Sequence, residues 1–435
     1  MKLNVRKWED LADAERRTVL LRSESDITSV RDRVQEIIDR VRREGDAALR
    51  ALTKEYDRAD VDRLPLRVAP AEFAEARSLL QPAVRDALRF AIDNVAAFHR
   101  PQLHAGIDLR EIRTGIYAGE RATAIDSVGL YVPRGRGSFP SMLYMLAVPA
   151  KIAGVRRVCV ISPPGPDGSI DAACLYAAEL CGVDEVYRAG GAQAIAALAY
   201  GTESIAPVDK IVSPGSSYVS AAKRLIASDV DVGLPAGPSE SIILADESPD
   251  AHTVALDLLI EAEHGSDSSA LLVTPSQALA DRVAALLPAL IERMPEPRRT
   301  FVSDVLSGYG GILTTGDMET AISVVNQFAP EHLQIRTREP FATLQSIRNA
   351  GEILLGEHTP FSAANYAIGA NAVLPTGGKA RTWSPVSVRD FVKYSSVVFA
   401  TRDGYEALAP HVVALADYEG FFTHAEAIRR RKESR

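Results

Sequence analysis

A chain of 435 residues is too long for one ordinary domain, and its 46% hydrophobic residues are enough for roughly two to four cores. Its 24% charged residues carry a net charge of −8 with no basic domain, which argues against a nucleic-acid partner; the basic run Arg429, Arg430, Arg431, Lys432 suits the end of a helix. No apolar run reaches the ~20 residues of a membrane span, since the longest, 142–155, is broken by Pro149 and Lys151. The N-terminal MKLNVRKWEDLADAERR has no apolar stretch of the kind a leader needs, and Cys159, Cys174 and Cys181 fit neither a metal knuckle nor a disulfide framework. These features predict a cytoplasmic protein with its cysteines buried as small hydrophobes.

In chain order, residues 1–24 read as an arm, and 27–57 and 70–99 as amphipathic helices, with Val30, Val34, Ile37, Ile38 and Val41 at helical spacing. From 127 the pattern becomes strand–helix alternation. Strands are expected at 127–132, 157–162, 185–188 and 210–212, with helices at 171–180, 194–199 and 218–227. A second alternating stretch places strands at 241–245, 270–273, 311–314, 333–336 and 352–355, and helices at 251–263, 278–293 and 318–328. Residues 382–435 read as helical and separate. Such alternation predicts an α/β fold with parallel sheets, whose ligands sit beyond the carboxyl ends of the strands.

The loops after those strands carry the chemistry. No G-x-G-x-x-G is present; Arg134, Gly135, Arg136 and Gly137 supply only two glycines. Gly190 and Gly191 link a strand to a helix, where bare backbone and a helix N-terminus suit a phosphate, although a Gly-Gly pair also serves as a plain turn. Ser213–Pro214–Gly215–Ser216–Ser217 is a turn of the same kind, and 235–240 (PAGPSE) is a rigid entry to the second sheet. Glu261 and His264, three apart, share one helix face and offer half of a zinc site; taken alone, a solvated pair is the commoner arrangement. Glu331–His332 enters a strand and offers a base and an acid. Glu419 and His424 place another carboxylate and imidazole near the C-terminus.

Together, in this order, 190–196 (GGAQAIA), 235–240 (PAGPSE), Glu263–His264–Gly265 followed by Asp267–Ser268, 329–333 (APEHL), 371–376 (NAVLPT) and Thr423–His424 resemble the histidinol dehydrogenase family over about residues 25–430. The resemblance implies two incomplete Rossmann-like parallel-sheet domains with small N- and C-terminal helical appendages, in an intertwined homodimer. The implied parts are an arm at 1–24, a first α/β domain from 25–128 and 240–381, a nucleotide-binding domain at 129–239 and a helical dimerisation segment at 382–435. It further implies NAD and zinc as cofactors, and oxidation of a primary alcohol through the aldehyde to the carboxylate with two NAD. His332 matches the base that takes the alcohol proton, and Glu331 the residue that activates water. Tyr131, Gln193 and Ser216 match nucleotide-contacting positions. Ser239, Tyr366, Ala372 and Glu419 match substrate-contacting positions. Glu261, His264, Asn365 and, from the partner subunit, His424 match the metal ligands.

The sequence departs from the family pattern at several of these places. Glu261 stands for a glutamine and Asn365 for an aspartate, so each ligand set still has one carboxylate and two imidazoles; such compensation is expected of a site that still binds metal. Ala372 stands for a substrate-contacting histidine, and a methyl group cannot replace its hydrogen bonds. Arg134 stands for glycine, Ser216 for asparagine, and Arg389 is a further cation suited to an anion. A substrate altered from histidinol is therefore expected. Relatives in the family oxidise 2,3-dihydroxypropane-1-sulfonate, whose diol suits zinc and whose sulfonate suits an arginine. Ordinary L-histidinol oxidation and a non-catalytic paralogue that kept the fold are the competing readings.

Overall fold

The computed structural model describes residues 3–21, 29–103, 106–134 and 137–433. Gly135 and Arg136, singled out above, lie outside them, as do residues 22–24 of the expected arm. Thirteen strands occur among the described residues: β1 (Val5–Lys7), β2 (Ile107–Arg113), β3 (Ile116–Ala124), β4 (Ser127–Tyr131), β5 (Arg157–Ser162), β6 (Glu185–Arg188), β7 (Lys210–Val212), β8 (Glu240–Ala245), β9 (Ser269–Thr274), β10 (Gly311–Thr314), β11 (His332–Arg336), β12 (Glu352–Leu355) and β13 (Val392–Ala400). They fall in two compact units, Met1–Gln102 with Ile125–Phe391, and Leu103–Ala124 with Val392–Arg435.

The first unit holds two parallel sheets. The large sheet runs β1-β10-β9-β8-β11-β12, and the small one β6-β5-β4-β7. Their strands are short apolar runs because helices cover both faces: every residue of β8 (ESIILA) and β9 (SALLVT) is buried. One face of the large sheet packs Ile243 and Leu272 against Val254, Leu258, Val283 and Leu287; the other packs Ile242 and Leu271 against Trp8, Val324 and Phe328. Each such side chain contributes roughly 1.5–3 kcal/mol by leaving water. Helix starts are set by side-chain caps, with Asp250 accepting from the Thr253 N–H and Asp317 from the Thr320 N–H. On the small sheet, Val34, Ile37, Ile38 and Val41 of the helix Arg31–Glu44 pack with Ile195, Leu198, Val219 and Ile226.

Three expectations about organisation change. The N-terminal arm is not separate: β1 pairs in parallel with β10, Val5 opposite Ile312, and Trp8 is buried. The helix Arg31–Glu44, assigned to the first α/β domain, covers the small sheet, because its apolar stripe faces the helices Gly191–Tyr200 and Ser217–Ile226. The segment 382–435 is not all helical. β13 pairs antiparallel with β3 from Val392 opposite Ala124 to Ala400 opposite Ile116, and β2 completes this sheet in the second unit. The helices Arg402–Tyr418 and Phe422–Glu433 follow, joined by Tyr405 donating to the Ile428 carbonyl at 2.8 Å and by Arg429 to Asp417 at 2.5 Å.

Candidate active site

β8 and β11 are neighbours although β9 and β10 lie between them in sequence, so the large sheet reverses its winding between these two strands. A cluster of polar side chains gathers there, at the amino ends of the strands rather than the expected carboxyl ends. His332 is the first residue of β11, Glu352 the first of β12 and Glu240 the first of β8, with Ser241 and Glu352 flanking His332 in register. The helix Ala251–Ala262 runs back from the far end of β8 and brings Glu261 to this edge, followed by His264. The negative end of that helix dipole therefore points into the cluster.

His332 is 3% exposed. Its Nδ1 lies 2.9 Å from Glu352 Oε2, and its Nε2 lies 3.9 Å from Glu331 Oε1. Phe361 meets the ring edge-on at 5.9 Å. Glu331 Oε2 accepts the Glu240 N–H at 2.8 Å, and Glu240 Oε1 accepts the Gly377 N–H at 2.8 Å. Burial alone would lower the His332 pKa, but Glu261, Glu352 and Glu331 outweigh it and push the value up to about 10. Burial drives the Glu331 carboxyl well above the usual carboxylate range, which the neighbouring imidazole only partly offsets. The chain enters this pair from Ala329, which is buried and left-handed at φ +52°.

Glu261 is fully buried. Its Oε1 accepts from Asn365 Nδ2 at 2.7 Å, while Oε2 lies 3.1 Å from His264 Nδ1 outside hydrogen-bonding geometry. Ser239 Oγ is 2.9 Å from the same His264 nitrogen. Burial opposes the charge on Glu261, yet His264, His332 and Asn365 hold its pKa below the usual range. A buried, ionised carboxylate with one oxygen outside any hydrogen bond, beside an imidazole and a side-chain amide, fits a divalent cation of zinc type. Among the described residues no three His, Cys, Asp or Glu side chains gather for a metal; here the third donor is the amide of Asn365.

The structure thus joins Ser239, Glu261, His264, Glu331, His332 and Asn365. Tyr366 follows Asn365 but is 62% exposed, its carbonyl accepting from Tyr144 Oη at 2.5 Å. Ala372 is half-buried, with its N–H toward Met145 Sδ at 3.3 Å. Arg389 is exposed. Glu419 and His424 belong to the second unit, where both are exposed. Glu352, which orients His332, and Glu240 were not singled out from the sequence. Only the pairing of β11 with β12 brings Glu352 opposite His332, and no local spacing encodes that register.

A second polar edge lies at the carboxyl ends of the small sheet. Tyr131 ends β4 and its hydroxyl accepts the Gly191 N–H at 3.2 Å. Gly190 and Gly191 open the helix Gly191–Tyr200, and Gln193, 1% exposed, has its Nε2 buried with no hydrogen-bond partner. Ser216 precedes the helix Ser217–Ile226 and is exposed, its side chain making no cap bond. Arg134 lies on this edge, lining a cavity of about 560 Å³ with Ser138 and Pro163–Pro166, and donates to the Ser169 carbonyl at 3.3 Å. Two helix N-termini converge here, giving an edge suited to phosphate.

An α/β chain with a nucleotide-type edge on one parallel sheet and a buried acid–imidazole cluster on another has the layout of an oxidoreductase. The family model for histidinol dehydrogenase matches residues 20–432. The chain belongs to the histidinol dehydrogenase family, whose members are NAD-dependent dehydrogenases acting on an alcohol. It is 50% identical over 411 residues to a histidinol dehydrogenase of a Synechocystis strain, covering 94% of this chain and 95% of the relative. A histidinol dehydrogenase homolog of Cereibacter sphaeroides is 50% identical over 430 residues, covering 98% of each chain. The crystal structure of histidinol dehydrogenase from Elizabethkingia anophelis superposes with a TM-score of 0.94 at 31% identity, covering 100% of this chain and 99% of that one.

Proposed function

We propose that this protein oxidises a small polar primary alcohol through its aldehyde to the carboxylate with two NAD, and that the alcohol is not histidinol. The observation that carries the chemistry is the His332 geometry: Nδ1 fixed by Glu352, Nε2 facing Glu331, and the Glu261–His264–Asn365 donors alongside. A carbinol gives up hydride readily only as its hydroxyl proton leaves, and His332 Nε2 is placed to take that proton. Glu261 is foremost among the carboxylates that raise the His332 pKa, with Glu352 and Glu331 beside it, so a cation held on Glu261 would weaken that pull and favour Nε2 as a base. An aldehyde donates hydride only after hydration, and Glu331 in its ionised form would take the proton of the attacking water; burial, which favours the neutral form, makes it the stronger base for that step. Glu261, His264 and Asn365 would hold zinc, with His424 of the second unit supplied across a homodimer. Bound zinc supplies a Lewis acid that polarises the alcohol oxygen and lowers its pKa. Tyr131, Gln193 and the Gly190–Gly191 turn would receive the dinucleotide, with Ser216 at the next helix start.

Ala372 and Asn365 carry the altered substrate. Neither side chain reproduces the donor or charge expected at its place for a ligand bearing an imidazole. Arg134 sits on the nucleotide edge, so of the two cations considered for a sulfonate, Arg389 is the one left for that role. L-histidinol is the second reading, favoured by the acidic lining of Glu240, Glu261, Glu331 and Glu352, which suits an amine. Zinc-loaded protein followed at 340 nm with L-histidinol and with 2,3-dihydroxypropane-1-sulfonate tests this. Efficient histidinol turnover overturns the altered substrate, and activity on the sulfonate with little on histidinol supports it.

A further inference from the structure

The cavity on the small sheet's carboxyl edge contains a group that the mechanism above does not use. Asp57 lines it together with Tyr56, Arg134, Ser138 and the Pro163–Pro166 turn. Asp57 closes the last helical turn, Thr53–Asp57, and the next residue, Arg58, is left-handed at φ +56°, which swings the chain away and leaves the carboxylate facing the Gly190 turn. The Gly190 N–H reaches this carboxylate. A side chain at Gly190 would come within 2.7 Å of both Asp57 and Pro163, so only bare backbone fits between them. The other carboxylate oxygen, Oδ2, is buried with no hydrogen-bond partner. A buried acceptor without a donor is costly unless a ligand supplies one. In the helix that Gly190 opens, Gln193 Nε2 is a buried donor in the same condition.

Resting on the reading that this edge takes a dinucleotide, we infer that Asp57 receives the adenosine ribose and selects the cofactor with a free 2′-hydroxyl, NAD, over the one with a 2′-phosphate, NADP. The diol supplies the donors that Oδ2 lacks, whereas a phosphate ester would set like charges together in a half-closed cavity. Adenosine is the end concerned because, among the described residues, none lining this cavity comes from the large sheet, where the proposed alcohol site lies. Arg134, the cation in the same cavity, does not reverse the preference, since its guanidinium is turned to the Ser169 carbonyl and Asp167. Burial keeps Asp57 at a pKa of about 6, so the carboxylate is ionised at neutral pH.

The test is titration of the purified full chain with NADH and NADPH by fluorescence, for wild type and for Asp57→Asn, an isosteric change. Wild type is expected to bind NADH at least about tenfold more tightly, and the variant to lose most of that ratio, chiefly by gaining affinity for NADPH. A ratio unchanged in the variant, or a wild type without preference, overturns the assignment of Asp57 while leaving the nucleotide edge intact. Binding of neither dinucleotide overturns the edge itself and this inference with it. Independently of any variant, 2′-deoxy-NADH should bind wild type about tenfold more weakly than NADH; equal binding overturns the ribose contact.

Discussion

The two parallel sheets of the first unit use opposite edges. The small sheet has its candidate site at its carboxyl edge, where Gly190, Gly191, Tyr131 and Ser216 meet helix N-termini. The large sheet gathers its polar groups at its amino edge, where Glu240, His332 and Glu352 begin their strands and the helix Ala251–Ala262 ends. Helix starts present N–H groups and positive potential, so the first edge suits pyrophosphate. Helix ends present carbonyls and negative potential, so the second suits a metal cation and an imidazolium. Only the small sheet's candidate edge is the carboxyl one that ligands of open α/β sheets commonly use.

Breaking the large sheet's edge should have the largest effect. His332→Gln is expected to lower kcat by about 10³-fold with little change in NAD affinity, read by steady-state kinetics and nucleotide titration. Glu331→Gln should leave the first hydride transfer and block the second, so that trapped aldehyde accumulates at one NADH per turnover. Next comes the second unit. His424→Ala and His332→Gln proteins, each nearly inactive as a pure homodimer, should regain activity after being unfolded and refolded together, because hybrid dimers hold one intact site; no recovery would place the whole site in one chain. Ala372→His is expected to raise kcat/KM for L-histidinol by about tenfold or more, the value of a restored hydrogen bond to a polar ligand.

The small sheet's edge is sharpened by a pH test. Lys223 is buried beneath its loops and donates to the Ser213 and Leu234 carbonyls at 2.8 and 3.0 Å. Burial pushes its pKa down to about 8, below the ordinary 10.5, so the unfolded chain holds the extra proton between these values. Stability then rises with pH from about 8 to 10.5 and is unaffected by this group below 8. Wild type should gain about 3 kcal/mol relative to Lys223→Met across that window, measured by denaturant melts. The smallest effect concerns Ala329. Its left-handed backbone costs about 1 kcal/mol, and Ala329→Gly should recover part of that in Tm without moving kcat.

Much of this was legible in the sequence. Continuous apolar runs such as RVCVIS marked the strands buried on both faces, and the six spaced motifs marked the family. β13 escaped because its faces are largely exposed, so VKYSSVVFA lacks the apolar alternation that signals a half-buried strand. The Asp171–Leu180 region read as helical and is so from Ala172, since Asp171 caps it; the helix Pro140–Ala153, which buries nine residues, the internal Pro149 among them, showed only as an interrupted apolar run. Glu261, His264, Glu331 and His332 were legible as candidates. Glu352 and Asp57 were not, because each acquires its role from register or from packing of a distant segment.

His332 and Glu352 are not carried on loops. Both sit within the parallel ladder, and the Glu352 N–H donates to the Glu331 carbonyl at 2.8 Å, tying the acid–imidazole pair to the next strand through the main chain. That amide is freed when β12, the end strand of the sheet, lifts off β11, so its hydrogen should exchange no faster than this strand opens. The arrangement ties proton transfer to the seating of β12: the His332–Glu352 spacing should hold for as long as that strand stays paired with β11.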